Sequence, residues 1–391
     1  MISSKLPRDL QVSAYQGREG LAALRADWEK LAADLPDRRF FHLYSWYHSY
    51  LTTLAEAPET VRFYAFQRNG SVVAIFPLQS VTRDVYGIRL RALQVPQHPH
   101  LNLTDFVFDK TEDNRTLVCQ LLAYLRAQKD TVWDVLNIPS TLEDSAAVFA
   151  LERESTARQQ RTLRRHSDYL TCHGGYGEID AKMATSFRKN LRRLRRRAEE
   201  LGKIEYRSSR EPEELERLFE LFMDVEASGW KGNAGQESAI RCLPQVEAFY
   251  RSLIREYSAT NACVINILLL NGTCIAGQFC LLTNGVLYLL KIGYHETYAQ
   301  IAPGYLLLSE VLKNYADNRQ VHSVSFVTDP PWTHLWRAAS LAVYDCTIYN
   351  NTARGWLAYL WTRGKQQIRA LVPMRSSETS DARRQTPNEQ E

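Results

Sequence analysis

Residues 262–294 read ACVINILLLNGTCIAGQFCLLTNGVLYLLKIGY, and this run limits the possible folds more than any other part of the 391-residue chain. Three apolar stretches are joined by Asn271-Gly272 and Asn284-Gly285. An Asn-Gly pair supplies the two successive positive-φ residues of a type I′ turn, so each pair predicts a tight hairpin. The result is an antiparallel meander of three strands. On the third, Val286, Tyr288, Leu290 and Ile292 are expected on one face and Leu287, Leu289 and Lys291 on the other. A short polar link then leads to Pro303-Gly304 and the apolar run GYLLLSEVLKNYA. A helix starting at Pro303 loses nothing by the missing N–H. Its first turn offers free N–H groups and a positive dipole end, the ingredients of a phosphate site.

The rest of the chain repeats one order of elements. Leu21, Leu24, Trp28 and Leu31 have helical spacing, and RFFHLYSWYHSYLTTL predicts a second, aromatic helix packed into a core. VRFYAFQRNGSVVAIFPLQSV is a hairpin turning at Asn69-Gly70. IRLRALQV and NLTDFVF read as strands, TLVCQLLAYLRAQ as a helix, and WDVLNIP as a strand stopped by proline. Residues 175–375 then give three helices, the meander, a helix, and the strands VHSVSFV and LAVYDCTIYN. A chain of this length predicts two domains. The expected boundaries are a first α/β lobe over 1–160, a linker over 161–180 carrying Arg161, Arg164 and Arg165, a second lobe over 181–374, and a polar, disordered tail over 375–391.

Composition excludes several classes. An apolar fraction of 45% and a charged fraction of 24% are those of a globular protein, and a net charge of +4 gives no global pull toward nucleic acid. No apolar run reaches the roughly 18 to 20 residues of a membrane span. MISSKLPRDLQVSAYQ lacks the apolar centre of a signal peptide, so a cytoplasmic location is expected. Seven cysteines without a C-x-x-C argue against a disulfide framework or a zinc site, and no metal is expected. Local charge is another matter. In MATSFRKNLRRLRRRAEEL, Met183, Phe187, Leu191, Leu194, Ala198 and Leu201 form one stripe. The other faces carry Arg188, Lys189, Arg192, Arg193, Arg195, Arg196 and Arg197, a surface for an anion.

Four pieces in fixed order carry a resemblance: E-A-S-G-W-K-G from Glu226, I-A-G-Q from Ile275, L-Y-L-L-K-I-G-Y from Leu287 and Y-A-Q-I-A-P-G from Tyr298. Over about 180–350 the chain resembles the GNAT-superfamily acetyltransferase domain of the cellulose-biosynthesis (CelD/BcsL) type, related to the FemAB peptidyltransferases. Residues 1–160 resemble the N-terminal half of such proteins more loosely. The resemblance implies an α/β (α+β) fold of two GNAT-like lobes, each a mixed, mostly antiparallel sheet flanked by helices. It implies an acyl-CoA co-substrate, acetyl-CoA foremost, and an amine or hydroxyl acceptor such as an envelope or exopolysaccharide precursor. The donor pyrophosphate would rest on N–H groups between Ala299 and Leu306. There Gln300, Ile301, Pro303, Gly304 and Tyr305 stand in the place of the superfamily's Q-x-x-G-x-G/A loop, with Pro303 for its first glycine and Tyr305 for its last small residue. The oxyanion would meet a backbone N–H at Leu290, Lys291 or Ile292. Candidate bases are Glu226, His295, Glu296 and Asp329, Glu226 first. Lys231 would orient an acidic acceptor or the donor phosphates. Trp230, Gln278, Tyr294, Tyr298, Arg192 and Arg193 would face the acceptor. Ser325 stands where relatives often carry aspartate. Two alternatives stay open: a non-catalytic GNAT-like module gripping an anionic polymer, nucleic acid included, and a FemAB-like transferase using aminoacyl-tRNA.

Overall fold

All three Asn-Gly pairs turn the chain back on itself. In the computed structural model Asn69 and Gly70 have φ 51° and 80°, Asn271 and Gly272 51° and 82°, and Asn284 and Gly285 50° and 72°. The structure describes residues 6–85, 87–128, 132–145, 147–148, 158–229, 237–319 and 321–371.

The strands are β1 (Leu10–Gln16), β2 (Val61–Arg68), β3 (Ser71–Val85), β4 (Ile88–Gln94), β5 (Val107–Phe108), β6 (Val135–Leu142), β7 (Arg158–Thr171), β8 (Ile204–Ser209), β9 (Cys263–Leu270), β10 (Thr273–Thr283), β11 (Val286–Tyr294), β12 (Ser323–Ser325) and β13 (Ala339–Tyr349). The α-helices are α1 (Gly17–Ala23), α2 (Arg25–Asp34), α3 (Tyr44–Thr53), α4 (Asn114–Ala127), α5 (Gly175–Lys182), α6 (Thr185–Leu201), α7 (Pro212–Ala227), α8 (Pro244–Ser258), α9 (Pro303–Asp317) and α10 (Ala353–Leu371). Among the described residues, no helix is long and apolar enough to cross a membrane.

The strands join in one sheet of order β1-β2-β3-β4-β6-β13-β7-β12-β11-β10-β9-β8, with β5 beside β3. Both halves are wired alike. β1 to β4 run antiparallel, and the chain then passes through α4 to β6, parallel to β4. β8 to β11 run antiparallel, and α9 leads to β12, parallel to β11. These are two GNAT-like lobes, each a mixed, mostly antiparallel sheet flanked by helices. The last strand of each is exchanged: β7, which follows the first lobe in sequence, pairs with β12, and β13, which follows the second, pairs with β6. β7 and β13 pair with each other along the whole of β13.

The stretch 161–180, expected as a linker, is therefore strand β7 up to Thr171 and helix α5 from Gly175. It pairs on both edges because its backbone donors and acceptors are needed to fuse the two half-sheets. Pro139 lies inside β6 rather than ending it. Residues 375–391 lie outside the described residues.

One core serves both lobes. Phe40 meets Trp46, Trp46 meets Phe249, and Phe40 meets Tyr288 of β11, with ring centroids 4.7, 5.4 and 4.9 Å apart. The Ser252 hydroxyl donates to Ser49 Oγ at 2.9 Å, and Tyr257 donates to the Phe40 carbonyl at 2.9 Å. The aromatic run of the N-lobe is thus the seam along which α3 packs on α8. On the opposite face of the second half-sheet, α5, α6 and α9 bury a separate core. The stripe on α6 buries Phe187, Leu191, Leu194 and Ala198, while Leu201 at its end stays 50% exposed.

Candidate functional site

Two glycines bring the site together. Gly277 of β10 and Gly293 of β11 are register partners. A Cβ on Gly277 would lie 2.6 Å from Phe222 Cδ2, and one on Gly293 would lie 3.1 Å from Glu226 Cα. Both belong to α7, so the bare pair lets the last turn of that helix lie directly on the strands. Glu226 is thereby buried, at 3% exposure. Its Oε2 accepts the Ile240 N–H at 2.8 Å, and its Oε1 lies 3.8 Å from Lys291 Nζ.

Lys291 reaches Glu226 because of a bulge. The register passes from Cys280–Leu289 to Phe279–Lys291, which leaves Leu290 without a partner on β10. One extra residue shifts the alternation, so Lys291 leaves the face of Leu287 and Leu289. Leu290 packs with Tyr288 in the shared core, while Ile292 turns toward α9, against the alternation expected from sequence. The pairing of β11 with β12 stops at Tyr288–Ser325, so the two strands part beyond that point.

A pocket of about 400 Å³ opens at this parting. Gln278, Ile292 and Tyr294 form one wall, Ala302 to Tyr305 with Leu307 and Leu308 the other, and Glu226, Glu296 and Trp332 also line it. Gln278 is buried, and its Oε1 has no hydrogen-bond partner among the described residues. A side chain on Gly304 would meet only Tyr294 Cδ1, at 4.0 Å, so the first turn of α9 faces open space. Ala302 enters that turn at φ 45°, ψ 62°, a left-handed conformation costing a non-glycine residue on the order of 1 kcal/mol.

The turn offers fewer donors than its sequence suggests. Tyr305 N and Leu306 N both donate to the Ala302 carbonyl, at 3.0 and 3.3 Å, and Ala302 N donates to Ala299 O at 2.9 Å. Among the described residues the Gly304 N–H meets no backbone acceptor.

Of the residues singled out from sequence, Glu226, Gln278, Ile292, Tyr294, Glu296, Pro303, Gly304 and Tyr305 line this one pocket. Others do not. Ile301 is a core residue, and Gln300 is exposed outside the pocket wall. His295 packs its ring on Tyr298, its backbone N–H donates to Ile275 O at 2.9 Å, and neither residue lines the pocket. Asp329 is exposed and accepts the His166 N–H at 3.1 Å on β7, so it serves the strand junction. Arg192 lines a separate groove of 340 Å³ with Asp180 and Glu310, and Arg193 is exposed, donating to Asn190 Oδ1 at 2.9 Å. Trp230 and Lys231 lie outside the described residues.

Sequence reading missed the N-lobe contribution. His100 Nδ1 lies 3.1 Å from the Tyr250 hydroxyl. Burial, and then the charges of Lys291 and His98, push the His100 imidazole down to about 3, so it is neutral beside Lys291. Burial, reinforced by Glu226, holds the Tyr250 hydroxyl well above its usual range. The segment carrying His100 also walls a second cavity of about 630 Å³, lined by Arg83, His98, Arg164, Arg165 and Asp345 among others. Arg164 pairs with Asp345 at 2.9 Å, while Arg83 donates to the neutral Gln94 and Gln97 at 2.6 and 2.8 Å. Burial lowers the Arg83 and Arg165 guanidiniums from their ordinary value, which marks them as cations drawn partly out of water. No motif announces this cavity, since its lining comes from five separate strands and loops.

Known proteins bear on half of this geometry. Residues 185–332 match the family model described as an acetyltransferase (GNAT) domain. A search of curated protein sequences returned no match. Among solved structures the chain is similar to FemX, at 11% identity, covering 82% of this chain and 95% of that one with a TM-score of 0.54. It is also similar to the C-terminal domain of a putative lysylphosphatidylglycerol synthetase from Agrobacterium fabrum, at 10% identity, covering 89% and 97% with a TM-score of 0.50. Both likenesses are of fold. The pocket between β11 and α9 falls inside residues 185–332, the segment that matches the acetyltransferase (GNAT) domain model.

Proposed function

We propose that the chain is an acyl-CoA-dependent N- or O-acyltransferase, with the acyl donor in the pocket between β11 and α9. The observation that carries this reading is the single pocket that joins the open first turn of α9 to the buried Glu226 carboxylate. The donor diphosphate lies at Gly304 and the acyl thioester passes Gln278 and Ile292. The acceptor amine or hydroxyl attacks the thioester carbonyl, Glu226 takes its proton, and the C–S bond breaks to release CoA thiolate, which is then protonated. The oxyanion meets the backbone near Leu290, a reading supported by its lying outside the β10 ladder and beyond the last β11–β12 pair. Lys291 offsets the charge of the buried Glu226 carboxylate.

The acceptor enters from the N-lobe side, across the arginine-lined cavity, and carries an anionic group held by Arg83 and Arg165. An envelope or exopolysaccharide precursor, as the CelD/BcsL-type resemblance suggests, has that character. The test is thiol release from acetyl-CoA against a panel of amine and hydroxyl acceptors, with and without acidic groups. Release that depends on an acidic acceptor and vanishes in Glu226→Gln supports the assignment; equal release by Glu226→Gln removes it.

A second reading keeps the fold and replaces the donor with aminoacyl-tRNA. It is favoured by Lys189, Arg192, Arg193, Arg196 and Arg197, all exposed on α6. Salt-sensitive tRNA retention, lost in Arg192→Glu/Arg193→Glu, together with no response to CoA, would support it over the first.

A further inference from the structure

Helix α10 takes no part in the transferase reading. Its sequence, ARGWLAYLWTRGKQQIRAL, contains no acidic residue. It packs on β4 and β13 through Gly355, Ala358, Tyr359 and Thr362, spaced as one helical face. The opposite face presents Trp356, Leu357, Leu360 and Trp361, each between 44% and 57% exposed. At 100° per residue these four centre about 180° from the buried face. Arg354 and Lys365 flank the stripe on one side and Arg363 on the other. Arg158 of β7 stacks over the Trp356 ring at 3.7 Å. Beside the stripe, Arg161 and Arg363 line a surface cleft of 340 Å³ with Tyr359, Gln159 and Gln160.

We propose that α10 docks the protein flat on an anionic lipid bilayer, with the Trp-Leu stripe in the acyl boundary and the flanking cations on headgroup phosphates. Large apolar side chains between two basic margins are the composition of an interfacial helix, and Trp is suited to that boundary. Charge selects this occupant over two others. A second copy of the chain, docked stripe to stripe, would bring like charges together with no acid on either helix to meet them. Residues 372–391 offer only Val372 and Met374 as large apolar side chains, too few to cover two tryptophans and two leucines.

The experiment is vesicle co-flotation of the full chain, with tryptophan emission recorded in parallel. Phosphatidylcholine vesicles containing phosphatidylglycerol should bind at least about tenfold more protein than phosphatidylcholine alone, with blue-shifted emission and weakening in high salt. Trp356→Ser/Leu360→Ser/Trp361→Ser should abolish binding while circular dichroism and thermal stability are kept, because all three side chains are exposed. Arg363→Glu should lower binding to the anionic vesicles alone. Absence of vesicle binding at low salt, binding unchanged in the triple variant, or a dimer in sedimentation that the triple variant dissolves would each overturn the proposal.

Discussion

The two lobes share a wiring and differ in what they do with it. In each, four antiparallel strands are followed by a helix and a parallel strand, and the fourth and parallel strands part to leave a cleft. In the C-lobe the link over 295–302 is short, and α9 begins at the strand end with Pro303-Gly304. In the N-lobe the link over 95–113 is long, contains β5, and folds across the cleft before α4 begins. Counting back from the strand end, Gly277–Gly293 of the C-lobe corresponds to Ser80–Leu93 of the N-lobe, where Leu93 is buried in the lobe's own core. The glycine pair admits α7 and its glutamate on the C-lobe strands, while the N-lobe cleft becomes a polar cavity lined by arginines. One topology thus yields two sites of opposite character: a short link and a glycine pair shape one, a long link the other.

This contrast is open to attack. The largest expected effect is in Glu226→Gln: turnover should fall about 10²- to 10⁴-fold with CoA affinity kept, read by steady-state kinetics and calorimetry. Next, Gly304→Leu places a side chain into the open C-lobe pocket. CoA affinity should fall at least about tenfold without loss of thermal stability, because helical backbone accepts leucine there. Arg83→Ala, on the N-lobe side, should raise the acceptor KM about fivefold and leave CoA affinity alone; a loss of CoA binding would merge the two sites.

The smallest effect is electrostatic. Burial alone would raise the Asp134 carboxyl, but hydrogen bonds from Arg91 and Thr352 outweigh it and bring the group to about 2. A carboxylate depressed in the folded state contributes stability above its unfolded value of 3.8 and loses it as pH falls toward 2. Over that window the N-lobe and the start of α10, which Thr352 ties to Asp134, should lose about 1 kcal/mol. Chemical denaturation at both pH values measures it, and Asp134→Asn should flatten the difference.

The sequence was most legible where local chemistry decides structure. Asn-Gly pairs need no partner to specify a turn, and Pro303-Gly304 marks a helix start by itself. Gly293 and Glu226 were legible as parts of motifs, although not as neighbours. What stayed hidden depends on pairing at a distance. Nothing in RTLRRHSDYL says that β7 will lie between β12 and β13, because an exposed, arginine-rich strand resembles a linker. The bulge at Leu290 leaves no composition signal, so Lys291 was placed on the wrong face. His100 and Tyr250 meet across 150 positions and carry no motif.

Calorimetric titration of the full chain with acetyl-CoA tests the difference between the lobes most directly. One donor per chain is expected, lost in Gly304→Leu and retained in Arg83→Ala. Two equivalent donors, or no heat at millimolar ligand, would contradict a single donor site at the start of α9.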